Sequence, residues 1–186
     1  MPLRDELVTF TPYNAQEEAD RAVMVRFLDE WPSEMLFSRA SSVHFTVSAW
    51  IVNPTRDRVL MAFHNIYRSW SWTGGHASSS DGLNMFALQK AMQETGLMAM
   101  KLTSNDIYSL EVIASNGHYV DTSYVSSHLH LNLTYLLEAD EKETPHADIK
   151  ENCGVKWFGL RRAAAQPNGE WIRSIYEKLN AKLDFV

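Results

Sequence analysis

Two hydrophobic periods alternate along this chain. Val23, Met24, Phe27, Leu28 and Trp31 recur at three- and four-residue steps, which puts them on one stripe of a helix. Asn14 followed by Glu17 has the form of a capping box, with Asn in the Ser/Thr position, and Pro32 cannot continue a helix. The pattern therefore predicts a helix over 14–31. The period then drops to two. Val43, Phe45, Val47, Ala49 and Ile51 alternate with other residues as in a strand, Asn53-Pro54 marks a turn, and 58–63 reads as the returning strand of a hairpin. Strands are also predicted over 109–114 and 154–158. A long one is predicted over 127–137, with Leu129, Leu131, Leu133, Tyr135 and Leu137 on one face. Residues 168–183 form a closing helix with Trp171, Ile172, Ile175, Tyr176 and Leu179 on its apolar side.

Strands and helices are interspersed, but not as regular βα repeats. The simplest architecture is an α/β (α+β) fold with a mixed β-sheet and helices on its faces. No Pro/Gly-rich break divides the chain, so 1–186 reads as one domain, with helix 14–31, a loop-helix over 74–97 and helix 168–183 as its landmarks. Segments 115–126 and 139–150 read as loops, the usual seat of substrate selectivity.

Composition narrows the function classes. A chain of 186 residues is long enough to bury a substantial core. The net charge of −6 argues against a nucleic-acid polymer as partner, since such binders usually carry a basic face. A phosphorylated small molecule, which needs only a local cation, remains compatible. The single cysteine, Cys153, excludes an intrachain disulfide, suits a reducing cytoplasm and reads as a small core thiol. The N-terminus has no apolar signal core, and no segment approaches the about 18 apolar residues of a membrane span. A homodimer is compatible with a chain of this size.

The most informative stretch runs from Trp70 to Leu97, WSWTGGHASSSDGLNMFALQKAMQETGL. It reads as a Gly-Gly loop, a polar run, a helix and a Gly stop. Gly74 and Gly75 allow close backbone approach, and Gly96 suits the left-handed position after a helix. On the helix, Phe86, Lys90, Gln93 and Glu94 share one face. Asp81, just before the helical run, suits an N-cap as well as it suits a ligand.

This outline resembles the signature of the Nudix hydrolases: Gly, five residues, Glu, seven residues, Arg-Glu, an aliphatic, any residue, Glu-Glu, any residue, Gly and an aliphatic. Anchored on Gly75, the spacing is kept throughout. Asp81 stands at the first Glu, Gln89-Lys90 at Arg-Glu, Ala91 at the aliphatic, Gln93-Glu94 at Glu-Glu, and Gly96-Leu97 at the closing pair. The segments HNIYRSWSWTGGHA (64–77), SHLHLNLTYLLEA (127–139) and ENCGVKWF (151–158) also look like a bacterial Nudix subgroup.

The resemblance implies a Nudix-like α/β/α sandwich, Mg²⁺ or Mn²⁺, and water attack on a diphosphate bridge in a nucleoside-diphosphate-linked molecule. It makes Glu94 and Glu151 the catalytic candidates, and Glu94, Asp81 and Gln93 the metal ligands. Gly74, Gly75, His76, Lys90, Trp72, His128 and His130 become the substrate-binding candidates. Lys90 stands where the family has an acid, and Gln93 has lost a charge. Metal-dependent activity is therefore expected to be weakened, and the alternative is a catalytically inactive Nudix-fold binder of a nucleotide or phosphometabolite.

Several of these residues carry a plainer reading beside the functional one. Lys90 and Gln93 fit a solvated helix surface as well as a phosphate contact. His76 fits a loop hydrogen bond, and Trp70 and Trp72 fit half-buried structure as well as base stacking. His128 and His130 point to one face of their strand, but no Cys or third His is spaced in sequence to complete a zinc site.

Overall fold

The computed structural model describes residues 2–66, 68–120, 122–167 and 169–186. After a short helix α1 (Leu3–Thr9), helix α2 (Ala15–Glu30) starts where the capping pattern places it. The Asn14 side chain accepts from the Glu17 N–H at 3.0 Å. The Glu17 carboxylate reaches back one residue further than a standard box, to the Tyr13 N–H at 2.7 Å. Trp31 lies just past the helix end, and α3 (Ser33–Leu36) follows Pro32.

The centre of the sheet is β1 (Val43–Val52), buried along its whole length. Along one edge β1 pairs in parallel with β9 (His128–Glu138), Val43 opposite Leu129 through Val52 opposite Glu138. Its other edge is shared antiparallel between two strands. The C-terminal part meets β2 (Arg58–His64), as the hairpin reading requires, and the N-terminal part meets β4 (Thr73–His76). Strand β3 (Ser69–Ser71) and the late strand β10 (Asn152–Gly159) flank β2, while β5 (Lys101–Leu102) and β6 (Ser109–Ser115) flank β9. The sheet is mixed because only the β1–β9 pair is parallel among the described strands.

Alternation along β1 and β9 divides the core into two layers. Val43, Phe45, Val47, Ala49 and Ile51, with Leu131, Leu133, Tyr135 and Leu137, pack against α1–α3 and the box helix α4 (Leu83–Thr95). On the opposite face Trp50, Val52 and Leu136 pack against α5 (Leu160–Ala164) and α6 (Glu170–Lys182). Helices thus cover both faces, an α/β/α arrangement. No helix among the described residues is long and apolar enough to cross a membrane.

Four readings change. The Gly-Gly segment is strand β4 rather than loop. A Cβ on Gly74 would collide with the Val47 carbonyl oxygen of the neighbouring strand, so glycine lets β4 lie this close. Segment 115–126 holds a small hairpin, β7 (His118–Val120) with β8 (Ser123–Val125), in which Tyr119 pairs with Tyr124 across the strands. Cys153 is exposed, since its strand β10 turns that side to solvent. Trp171 is 47% exposed, lying in the first turn of α6 before the helix meets the sheet, whereas Ile175, Tyr176 and Leu179 are buried. Asn168, the first residue of the predicted closing helix, lies outside the described residues, and that helix runs into a 3₁₀ turn over Leu183–Phe185.

A charged network closes one side of the sheet. Lys178 of α6 lies 3.0 Å from Glu111 on β6 and 3.3 Å from Glu17 on α2, and Lys182 lies 2.7 Å from Glu17. Glu111 also accepts from Asn132 and Thr134 of β9, each at 2.8 Å. Helix α2 satisfies the outer edge of β6 with side chains: Gln16 donates to the Leu110 carbonyl, and Asp20 accepts from the Val112 N–H. Burial alone would raise the Glu17 carboxyl above its ordinary range, but Lys178 and Lys182, with the Tyr13 N–H and the Ser109 hydroxyl, outweigh it and hold Glu17 below.

Candidate functional site

The box helix begins at Leu83 after Gly82, which has φ +63°, and ends at Gly96, φ +71°. Gly82 rather than Asp81 is the cap. Asp81 is exposed, and its own N–H bonds the Ser79 hydroxyl at 3.4 Å.

Lys90 and Glu94 sit one turn apart and face β4. The Glu94 carboxylate, 4% exposed, accepts from the Gly74 N–H at 3.0 Å. A Cβ on Gly75 would stand 3.1 Å from Lys90 Cε, so the second glycine leaves room for the lysine stem. The Lys90 ammonium lies 3.4 Å from Glu151 Oε1 and 4.0 Å from Glu94 Oε1. It is therefore a built-in cation between the two carboxylates that the resemblance makes catalytic. Gln93 is turned outward, donating to Asp148 at 3.1 Å. The structure brings Lys90, Glu94 and Glu151 together, while Asp81 and Gln93 do not join them. Among the described residues, carboxylates nowhere form a group of three close enough to share an ion.

Burial raises the Glu94 carboxyl from 4.5 to about 7, against the Gly74 N–H and Lys90, which favour the charged form. A carboxyl whose pKa rises on folding holds its proton more tightly when folded. Its contribution to stability is present below the unfolded value and is lost as pH rises through the folded one. Glu94→Gln keeps an acceptor for Gly74 and removes the titration. The variant is expected to be more stable than the parent by ~1–3 kcal/mol at about pH 8 and nearly equal at about pH 5. Urea melts at the two pH values check this, and an equal difference at both would show that Glu94 titrates normally.

The opposite face of the same strands is different. His76 follows Gly75 on β4 and so points away from Lys90. It meets His44 of β1 and His130 of β9, with ring centroids at 5.0 and 5.2 Å, and His128 lies 4.7 Å from His130. Four imidazoles thus gather at one end of three adjacent strands. Burial lowers all three of His44, His76 and His130, taking His76 to about 4 and His130 to about 3, with Arg39 adding repulsion at His44 and His76. These three rings are neutral at physiological pH. The expectation that no third histidine joins His128 and His130 is thereby corrected. Strand pairing, not spacing along the chain, assembles the group. His44 was missed although it sits in register with His130, because the parallel pairing is not visible in the sequence.

Trp72 lies on the α6 side, its N–H donating to the Tyr176 hydroxyl at 3.0 Å and its ring 5.2 Å from that tyrosine. Trp70 packs edge-on against Phe63 and Phe158. Asp148 is a further residue that the sequence reading passed over. Its only cue was its place in the acidic segment before Glu151.

No protein-family model matches the sequence, and no curated protein matches it by sequence search. Solved structures match its fold. A Nudix hydrolase from M. Smegmatis, RenU, superposes with a TM-score of 0.56 at 14% identity, covering 77% of this chain and 87% of that one. An Ap4A hydrolase from C. elegans gives 0.56 at 13%, covering 76% and 98%. The NUDIX domain of Shewanella oneidensis NrtR, complexed with ADP ribose, gives 0.52 at 14%, covering 87% and 97%. Likeness at such identities is a likeness of fold, and with the sheet order, the box helix and the glycine-lined β4 it leads to one conclusion: this chain has the Nudix fold.

Proposed function

We propose that the chain is a Nudix-type protein that holds a phosphorylated small molecule of the nucleoside-diphosphate class at the Lys90–Glu94–Glu151 face, and that its metal-dependent hydrolysis is strongly weakened. The observation that carries this reading is the Lys90 ammonium standing between Glu94 and Glu151. Nudix chemistry takes a divalent ion, Mg²⁺ or Mn²⁺, to offset phosphate charge and activate water. The donor set here does not fit such an ion well. Mg²⁺ asks for near-octahedral oxygen ligands, whereas Glu94 is largely buried, Gln93 is committed to Asp148, and Lys90 already offsets part of the charge of the two carboxylates. Lys90 can instead meet a phosphate directly. The ligand class is supported by the solved structures of this fold that act on Ap4A or hold ADP ribose.

The second reading, a binder without turnover, draws on the same lysine, because an ammonium offers charge to phosphate but no route to an activated water. In either case the proposal keeps the protein in the cytoplasm, apart from membranes and nucleic-acid polymers, and is compatible with a homodimer.

Thermal shift and calorimetry against dinucleotides, nucleoside diphosphates and sugar nucleotides should find stabilisation by at least one class. Phosphate release with Mg²⁺ or Mn²⁺ should stay well below the ~1–10³ s⁻¹ of ordinary enzymes. No stabilisation by any phosphorylated compound would overturn the proposal, and so would turnover in the ordinary range.

A further inference from the structure

We infer that His44, His76, His128 and His130 form a transition-metal site of the zinc class on the sheet face opposite the Lys90–Glu94 site. One ring nitrogen from each of the four lies within 4.8 Å of the others. A tetrahedral Zn²⁺ with bonds of about 2.0–2.1 Å needs nitrogens about 3.3–3.4 Å apart, which small ring rotations supply. Register builds the group. His44 and His130 are opposite one another across β1 and β9, His128 is two residues along from His130, and His76 pairs beside them at Thr46.

A second observation is independent of this proximity. His44 is 2% exposed, and its Nε2 is buried with no hydrogen-bond partner. An orphaned ring nitrogen in a folded interior is costly unless something fills its lone pair. Its other nitrogen, Nδ1, is 2.8 Å from the Ser41 carbonyl, and His128 Nδ1 is 2.8 Å from the Ser126 carbonyl. Each carbonyl accepts an Nδ1–H, which leaves both Nε2 atoms as bare donors of electron pairs. Backbone carbonyls holding the far N–H of metal-ligating histidines are the usual outer shell of such sites.

His128 Nε2 lies 2.9 Å from His130 Nε2. With His128 bare there, His130 carries the proton between them. A metal replaces that proton, and the His130 ring then carries its hydrogen on Nδ1. Four imidazoles suit Zn²⁺, Cu²⁺ or Ni²⁺ and disfavour Mg²⁺ and Ca²⁺, which want oxygen. The site is thus chemically distinct from the box face and does not depend on the reading given for it.

The test uses metal-stripped full chain and Zn²⁺ alone in calorimetry, with Co²⁺ as a spectroscopic probe. The expected result is a one-to-one complex. Tm should rise by about 5–10 °C when free Zn²⁺ is about 100 times Kd. Co²⁺ should give the intense visible bands of a tetrahedral nitrogen site, without the thiolate charge-transfer band that Cys153 would add. The double variant H44Q/H130Q, with its fold checked by circular dichroism, should lose at least about 100-fold in affinity, a loss of the size that mutating a metal site's supporting groups already produces. H76Q alone gives the same direction if the double variant fails to fold, and E94Q should bind Zn²⁺ like the parent. Absence of stoichiometric Zn²⁺ binding by the folded parent, octahedral Co²⁺ bands, or undiminished affinity in the histidine variants would overturn the inference.

Discussion

Lys178→Ala is expected to destabilise the protein by ~3–5 kcal/mol, because it leaves carboxylates buried without their cation. The Lys178 side chain is 4% exposed, and its ammonium is shared among Glu17, Glu111, the Gln16 side-chain oxygen and the Leu110 carbonyl. Lys182 still faces Glu17 in the variant, so the charge left unmatched is that of Glu111. Glu111 keeps Asn132 and Thr134 as donors and shares the single Ser109 hydroxyl hydrogen with Glu17, but a neutral donor set does not replace an ammonium. For a chain of this size the loss corresponds to a fall in Tm of roughly 6–20 °C. The double variant Lys178→Ala with Glu111→Gln should recover part of it, since the second change removes the unmatched charge. Denaturant melts of the parent, both single variants and the double variant measure that coupling. A cost below about 1 kcal/mol for Lys178→Ala would mean that water reaches the cluster and the network is only a surface pair.

The network shows what periodicity could and could not reveal. The apolar stripe of α2 and the alternations of β1 and β9 were legible because burying one face imposes a period. Glu17 on α2, Glu111 on β6, Asn132 on β9 and Lys178 on α6 lie off these apolar patterns, and each alone looks like a solvated residue. Only the pairing of β6 with β9, and the meeting of α2 and α6 side chains at that edge, makes them buried partners. The site divides in the same way. Lys90, Glu94 and Gly74 were legible because they lie within one loop-helix whose spacing fixes their relations. Glu151 was placed from a resemblance, and the ion pair with Lys90 joins it to the helix. The histidine group was half legible: His128 and His130 share a strand face, and His76 ends the glycine pair. The group becomes complete only through the parallel contact with β1, which links residues far apart in the chain. The N-cap reading of Asp81 fails because Gly82 adopts a left-handed conformation there and starts the helix without a side-chain cap.

Lys90→Glu with Gln93→Glu should raise Mn²⁺ affinity by about 10³-fold or more. A unit charge pair at 4 Å and an effective dielectric of 20 is worth roughly 4 kcal/mol, and about 1.4 kcal/mol is tenfold in affinity. Lys90→Glu replaces repulsion of the ion with attraction at the point where the ammonium lies between Glu94 and Glu151. Gln93→Glu breaks the bond that holds this side chain outward on Asp148, and repulsion from Asp148 favours its turning towards an ion held at Glu94. Without metal, these acids repel one another and the double variant should melt below the parent. With Mn²⁺ the order should reverse, so the metal-dependent change in Tm reports the site even if calorimetry is weak. Lys90→Met, which removes the cation without adding an anion, should fall between the two. If Mn²⁺ binds parent and double variant alike, the ammonium of Lys90 does not occupy the seat of the metal, and the proposal that it replaces the ion at this face fails. The histidine group offers a control within the same molecule, because Zn²⁺ held by four imidazoles across the sheet should bind the double variant much as it binds the parent.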